Sequence, residues 1–152
     1  MSASPLRLIC LSAFLLCAAS APAQEGHPVR GVWVGNWGPT STPQSRIVVV
    51  MDHDGKTVSG VFNPGPNAVP LKVARLDITL GTPSPKRGVP AILPIFKVYF
   101  EVDAKDAKGN PVAIVAEGIM QNTALPNRWI AGTWTQTSGG NAAKSEFKIT
   151  RQ

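Results

Sequence analysis

Apolar and polar residues alternate along most of this chain with the two-residue period of β-strands. The alternation is cleanest over residues 95–103, where Phe96, Val98, Phe100 and Val102 are separated by Lys97, Tyr99, Glu101 and Asp103. Further strand-like runs cover residues 29–37, 45–51, 56–62, 71–80, 111–120, 128–136 and 144–151. No segment has a convincing helical period. The pattern therefore predicts eight β-strands.

Turn-forming residues separate these strands. Asp54-Gly55 predicts a tight hairpin, and we interpret Asp52-His53-Asp54 as part of that turn rather than as a metal or acid–base cluster. The apolar face switches within residues 71–80, which predicts a β-bulge near Ala74-Arg75. Residues 81–94 contain four prolines and predict a long loop over a barrel mouth.

Evenly spaced strands joined by short turns are typical of an antiparallel barrel or a sandwich. The meander order favours an all-β, eight-stranded, antiparallel up-and-down barrel, with a β-sandwich as the alternative. The interior of such a barrel is either filled by side chains or wide enough for one small ligand. The pattern does not decide between a hollow and a packed interior.

The first 23 residues have the composition of a secretory signal peptide. Arg7 precedes a short apolar run that is too short to span a bilayer, and Ala21-Pro22-Ala23 supplies the small residues of a cleavage site. The expected mature chain, residues 24–152, is a single domain exported to the periplasm or the extracellular space. Both cysteines, Cys10 and Cys17, fall within the removed segment, so packing alone must stabilise the fold.

The charge balance is mildly basic. The chain has 15 Lys and Arg against 9 Asp and Glu, and loss of Arg7 with the signal peptide leaves a formal charge of +5. These charges are scattered, and only Lys86-Arg87 forms a basic pair. We expect no nucleic-acid partner and no transmembrane segment in the mature chain, while an anionic envelope glycan is a possible partner. The sequence does not predict the oligomeric state.

The two ends of the chain carry residues that resemble the calycin pattern of lipocalin-like and avidin-like barrels. Gly31 and Trp33 lie on one face of the first predicted strand, and Arg151 lies on the last. The resemblance implies that Trp33 plugs one end of a barrel and that Arg151 packs across it, a cation over an indole. Avidin-like chains also end on the eighth strand, but their Asn-x-x-Gly-Ser ligand corner is not reproduced at residues 36–39.

The chain is also similar to small exported bacterial β-domains with three short motifs. These are a Gly-x-Trp-x-Gly opening at residues 31–35, a Gly-Thr-Trp-x-Gln strand at residues 132–136, and a terminal Phe-x-x-x-Arg at residues 147–151. Such domains occur alone or beside secreted hydrolases. This resemblance implies a barrel without implying an activity.

The aromatic residues are the most suggestive candidates for a site. We assign Gly31, Trp33, Trp134 and Arg151 to closure of the barrel, where bulk is needed. Trp37, Trp129, Tyr99, Asn36 and Gln136 are the candidate ligand-binding residues, because aromatic rings stack on planar ligands or sugars and amides hydrogen-bond them.

No catalytic motif, metal site or cofactor site is predicted, since acids, bases and nucleophiles are not gathered in the sequence. We therefore expect a non-enzymatic exported β-barrel that binds a small apolar or amphipathic ligand in its interior. The alternative is a surface-binding accessory module with a filled barrel, which binds an envelope glycan or a partner protein.

Overall fold

A computed structural model of the chain describes residues 26–38, 44–84, 86–88, 91–106, 108–123 and 126–152. The predicted signal peptide, residues 1–23, and the predicted start of the mature chain at Gln24 lie outside the described residues. The described residues are all-β, with nine antiparallel strands and no helix. The strands are β1 (Gly31–Trp37), β2 (Ser45–His53), β3 (Val58–Phe62), β4 (Val69–Pro70), β5 (Val73–Thr79), β6 (Ile95–Lys105), β7 (Pro111–Gln121), β8 (Trp129–Ser138) and β9 (Asn141–Arg151).

The nine strands form one strongly curled sheet in the order β4-β3-β2-β1-β9-β8-β7-β6-β5. Each strand pairs with the next along the chain, except that β4 and β5 stand at the two edges of this order. The first strand, β1, also pairs with the last, β9. We call the end of the sheet where β1, β3, β6 and β8 finish the Trp37 end. The opposite end, where β2, β5, β7 and β9 finish, is the Arg151 end.

The strand count is nine rather than the predicted eight, because a short strand, β4, precedes the predicted range 71–80, within which β5 lies. The chain changes partner at Leu71 and Lys72: the Leu71 N–H donates to the Gly60 carbonyl at 2.9 Å, and the Lys72 N–H donates to the Glu101 carbonyl at 2.8 Å. The bulge predicted near Ala74-Arg75 is also wrong, since β5 and β6 pair without interruption from Val73 to Thr79. The switch of apolar face marks the change of partner.

Turn chemistry sets the ends of two hairpins. Gly139 and Gly140, with φ of 55° and 82°, join the Ser138–Asn141 pair in a two-residue turn. Both central residues need positive φ in such a turn, which suits the twist of the flanking strands. In the β2–β3 turn, the Asp54 carboxylate accepts hydrogen bonds from the Thr57 N–H at 2.7 Å and the Lys56 N–H at 2.8 Å. These bonds lower the pKa of Asp54 to about 2.

The inner face of the sheet is packed with apolar side chains. The buried core consists of Val29, Trp33, Ile47, Val49, Met51, Phe62, Val98, Phe100, Val102, Val112, Ile114, Ala116, Met120, Ile130, Trp134, Phe147 and Ile149. Buried and exposed residues alternate strictly along β7, because one face of the strand points into the core and the other points to solvent.

The pairing of β1 with β9 brings together three of the four residues assigned to barrel closure, Gly31, Trp33 and Arg151, whereas Trp134 lies on β8 and stacks on Trp37. Trp33 lies opposite Arg151, and the Arg151 side chain passes over Gly31, where an added Cβ would lie 2.9 Å from the arginine Nε. Trp33 is completely buried, and its Nε1 donates to the Val29 carbonyl at 2.8 Å. The Arg151 end is therefore covered from inside by an indole and by the segment that precedes β1.

Truncation of Trp33 tests this packing. We expect Trp33→Ala to lower the free energy of unfolding by about 3–5 kcal/mol, as for other large core truncations. The change also removes the hydrogen bond to Val29. Urea denaturation followed by far-UV circular dichroism measures the loss. Val32→Ala, on the exposed face of the same strand, is the matched control, and an equal loss in both variants would contradict the assigned role.

Candidate functional site

Five aromatic rings meet on the inner face toward the Trp37 end. The Trp37 and Trp134 rings stack with centroids 5.1 Å apart and planes inclined by 20°. Phe62 lies 5.9 Å from Trp134, and Phe100 and Phe147 lie at 6.3 and 6.2 Å. These separations are those of packed aromatic pairs. We call Trp37, Phe62, Phe100, Trp134 and Phe147 the aromatic cluster.

Trp134 is the central member of this cluster, and its indole nitrogen is unusual because it makes no hydrogen bond to the described residues. Only 1% of the side chain is exposed, yet Nε1 has no hydrogen-bond partner among the described residues. Buried indole N–H groups normally find an acceptor. The cluster therefore contains an unsatisfied donor as well as a large apolar surface.

A pocket opens beside the aromatic cluster at the Trp37 end, with a volume of about 710 Å³. It lies between the β3–β4 connection and the β6–β7 hairpin. Apolar side chains of Phe62, Ala68, Val69 and Ala104 line it together with polar Asn63, Asn67, Asp103, Lys105 and Asp106. We call this the mouth pocket. Phe62 belongs both to the pocket and to the aromatic cluster.

Two carboxylates of the mouth pocket already have partners. Asp106 accepts hydrogen bonds from the Lys108 N–H at 2.8 Å and from the Asn110 N–H and Nδ2, both at 2.9 Å. The bonds from Asn110 lower the pKa of Asp106. Asp103 forms an ion pair with Lys72 at 2.9 Å, and the hydrogen bond to Asp103 raises the pKa of Lys72. Both carboxylates thus stabilise the walls of the pocket.

The outer face of β1, β9 and β8 carries a second, open groove of about 740 Å³. Asn36 lies opposite Lys148 in the β1–β9 register, and the Lys148 Nζ sits 4.5 Å from the centre of the Trp129 ring. Gln44, Thr133, Glu146 and Thr150 also line the groove. We call it the outer groove.

The five candidate ligand-binding residues thus fall into three places. Trp37 lies in the aromatic cluster, and Gln136 shares the inward parity of Trp134 on β8. Asn36 lines the outer groove beside Lys148, and Trp129 lies next to the groove, where its ring contacts the Lys148 ammonium. The fifth, Tyr99, stands apart on the outer face of β6.

Tyr99 is engaged by charged neighbours. The Arg75 guanidinium lies over its ring at 4.2 Å, and its hydroxyl donates to the Glu101 carboxylate. The hydrogen bond to Glu101 raises the pKa of Tyr99. Tyr99 therefore lies on the β5–β6 surface and lines neither the mouth pocket nor the outer groove.

Sequence reasoning missed the apolar wall of the mouth pocket. Val69 and Ala104 are small residues near strand ends, and no motif distinguishes them. The available signal was the strand break at residues 63–67, which sets the edge of the pocket directly after Phe62. The break shows only where the chain turns. The other wall of the pocket is the β6–β7 hairpin, which is distant in sequence and is brought beside the break by the curl of the sheet.

The two histidines also lie closer together than the sequence suggested. His27 precedes β1 and His53 ends β2, and their rings stack with centroids 3.5 Å apart and planes inclined by 9°. Both histidines line a small pocket at the Arg151 end with Lys56, Arg75 and Asp77, although the sequence placed His53 in a turn. Burial of Val29 folds the preceding segment back onto the sheet and produces this contact.

Among the described residues, no group of three or more His, Cys, Asp or Glu side chains is arranged to hold a metal ion. Within the same residues, no helix is long and apolar enough to cross a membrane. No family model, curated protein or solved structure matches the chain. The calycin likeness therefore stays a prediction that rests on the motifs of the sequence.

The stacked histidines predict a pH dependence. Burial, and secondarily the charge of His53, lower the pKa of His27 below its ordinary value of 6.5. The folded state thus favours neutral His27, while the unfolded chain takes up the proton more readily. We expect thermal stability to be complete above about pH 7 and to fall as the pH drops through the ordinary pKa toward the lowered one.

Melting temperatures of the native protein and of His27→Gln, measured between about pH 7.5 and pH 5.5, check this expectation. The variant keeps a polar side chain that does not titrate, so its melting temperature should vary less over this range. Equal slopes in both proteins would contradict the role of His27.

Proposed function

We propose that this protein is an exported, non-enzymatic β-barrel that binds a small apolar or amphipathic ligand at its Trp37 end. The mouth pocket is the observation that carries the proposal: a cavity of about 710 Å³ with apolar side chains beside a cluster of aromatic rings. Ligand pockets of small-molecule binding proteins have this volume and this mixture of apolar walls with a few polar groups.

The proposal includes a barrel closed by eight functional strands, with β4 and β5 acting together as one. Two hydrogen bonds support closure, because Leu71 extends the ladder with β3 and Lys72 extends the ladder with β6. β3 also contacts β5, and β4 contacts β6. In this arrangement every strand has two neighbours, as in an up-and-down barrel.

The chemistry of the pocket favours an amphipathic ligand. Phe62, Val69 and Ala104 offer apolar surface, while Asn63 and Asn67 supply amide donors and acceptors and Lys105 supplies a cation. Because the inner face is filled with buried side chains, the ligand sits at the mouth and reaches the aromatic cluster with its apolar part. The unsatisfied Nε1 of Trp134 is a donor within that cluster.

The hydrogen bonds and ion pairs of the carboxylates support a non-enzymatic role. A general acid or base works best with a pKa near the operating pH. Asp54 and Asp106 instead have lowered pKa values, because turn N–H groups donate to their carboxylates. Asp52, Asp103 and Glu117 form ion pairs with Arg30, Lys72 and Lys97. Each of these acids has a structural partner.

Filling the mouth pocket tests the proposal. The native protein should bind about one anilinonaphthalene sulfonate molecule per chain, with energy transfer from tryptophan, since an apolar dye with an anionic group matches the pocket. Ala68→Trp places an indole at an exposed position of the pocket lining. We expect it to weaken dye binding at least about tenfold, measured by fluorescence titration.

Ala142→Trp is the matched control, because Ala142 is exposed on β9, a strand that contributes no residue to the lining of the pocket. It should leave the affinity unchanged. If the native protein takes up no dye, or if the two variants bind it equally, the mouth pocket is not the ligand site.

The outer groove supports a second candidate function, an accessory module for an envelope glycan. Asn36 supplies an amide within the groove, and Trp129 supplies an aromatic ring beside it, in contact with Lys148. Sugars bind to such combinations of stacking surface and hydrogen-bonding side chains. For this second function, the filled interior acts as a scaffold that supports the outer groove.

Pull-down on insoluble peptidoglycan tests this second function. Trp129→Ala should weaken retention roughly two- to tenfold, the effect of removing one aromatic contact. Tyr99→Ala removes an aromatic ring from the outer face of β6, outside the groove, and should leave retention unchanged. Retention that is lost equally in both variants, or that is absent in the native protein, would exclude the groove as a glycan site.

A further inference from the structure

The β5–β6 hairpin continues past the end of the sheet at the Arg151 end. Thr82 and Ile92 form a β-bridge beyond the two strands, with N–H to O distances of 2.9 and 3.0 Å. Around this bridge, large aliphatic side chains are open to solvent: Leu80 is 84% exposed, Leu93 75% and Ile92 66%. Such contiguous exposed apolar residues mark interaction sites.

The exposed residues lie on both faces of the hairpin. Ile78 pairs with Phe96, and Ile95 pairs with Thr79, so alternation sends Ile78 and Ile95 to opposite faces. They are 46% and 49% exposed. A protein partner that docks on one face would leave the other face in water. An apolar medium that surrounds the hairpin covers both.

The charge of the hairpin is of one sign. Residues 78–100 contain no Asp or Glu. Lys86 and Arg87 lie near the tip, and both are exposed. The third cation of this segment, Lys97, forms an ion pair with Glu117 at 2.7 Å. The tip thus carries two adjacent positive charges above the exposed aliphatic residues.

We propose that the β5–β6 hairpin docks on an anionic lipid bilayer. Leu80, Ile92 and Leu93 enter the boundary between headgroups and acyl chains, as the apolar sides of interfacial segments do. Lys86 and Arg87 bind the phosphates of anionic lipids, whose negative surface potential attracts basic residues close to the membrane. Two cations and exposed aliphatics match this surface in both charge and polarity.

This surface is independent of the proposed ligand site. The hairpin leaves the sheet at the Arg151 end, whereas the mouth pocket opens at the Trp37 end. A protein docked by the hairpin would keep its mouth pocket directed away from the lipid. Loss of one function by mutation should therefore leave the other intact.

Sedimentation with vesicles tests the proposal on the purified protein. Vesicles of equal parts phosphatidylglycerol and phosphatidylcholine should bind the protein, and vesicles of phosphatidylcholine alone should bind it much more weakly. Added salt should reduce the difference, because exposed charges are screened. Equal binding to both kinds of vesicle, or binding to neither, would overturn the proposal.

Paired substitutions separate the two contributions. Lys86→Gln with Arg87→Gln should weaken binding to the anionic vesicles about 30-fold, from two surface cations. Lys108→Gln with Lys144→Gln, which removes the same charge toward the opposite end of the sheet and outside the mouth pocket, should have a much smaller effect. Equal losses in both pairs would mean attraction by net charge and would overturn a hairpin site.

Leu80→Ser with Leu93→Ser should weaken vesicle binding roughly tenfold or more. Val115→Ser with Ile119→Ser, on the exposed outer face of β7, is the matched control and should retain binding. Size-exclusion chromatography of the same proteins distinguishes a second copy as the occupant. A native dimer that becomes a monomer in the Leu80 and Leu93 variant, without any vesicle binding by the native protein, would overturn the proposal.

Discussion

Pairing between the first and the last strand is the constraint on which the rest of this structure depends. β1 is hydrogen-bonded to both β2 and β9, so the N-terminal and C-terminal halves of the described chain form one sheet. The register sets Trp33 opposite Arg151 and Trp37 opposite Phe147. One pair closes the inner face at the Arg151 end, and the other belongs to the aromatic cluster at the Trp37 end. A slip of one residue would turn both tryptophans toward solvent.

Close approach of neighbouring backbones makes the curl of the sheet possible. At Gly35, an added Cβ would collide with the backbone of Lys148, and at Gly132 it would collide with the backbone of Glu117. Glycine in a strand interior typically marks a bend of this kind. Both glycines lie on the strands that flank β9, where the two halves of the sheet join. The curl in turn brings side chains from opposite strands into contact, so the inner face is filled.

The sequence pattern predicted the strands well because most of them bury one face only. Alternation located β6 and β7, and the Asp54-Gly55 turn located the β2–β3 hairpin. The bulge predicted within residues 71–80 is wrong for a physical reason: the switch of apolar face was visible, but a bulge and a change of pairing partner produce the same switch. Parity also separates Trp37, which faces inward, from Trp129, which faces outward, although both stand at strand ends. The mouth pocket is made by segments distant in sequence, and no local pattern encodes it.

Because the interior is filled, the proposed ligand site and the exposed apolar hairpin lie at the two ends of the sheet. The Trp37 end combines short connections with small residues such as Ala68 and Ala104, so space is left beside the aromatic cluster. The Arg151 end is occupied by Val29 and Trp33, and there the one long hairpin extends outward and exposes Leu80 and Leu93 instead of covering the core. Leu80 and Leu93 thus stay outside the buried core, which is formed by other residues. The same packing that excludes a ligand from the deep interior thus explains both the pocket at one end and the apolar hairpin at the other.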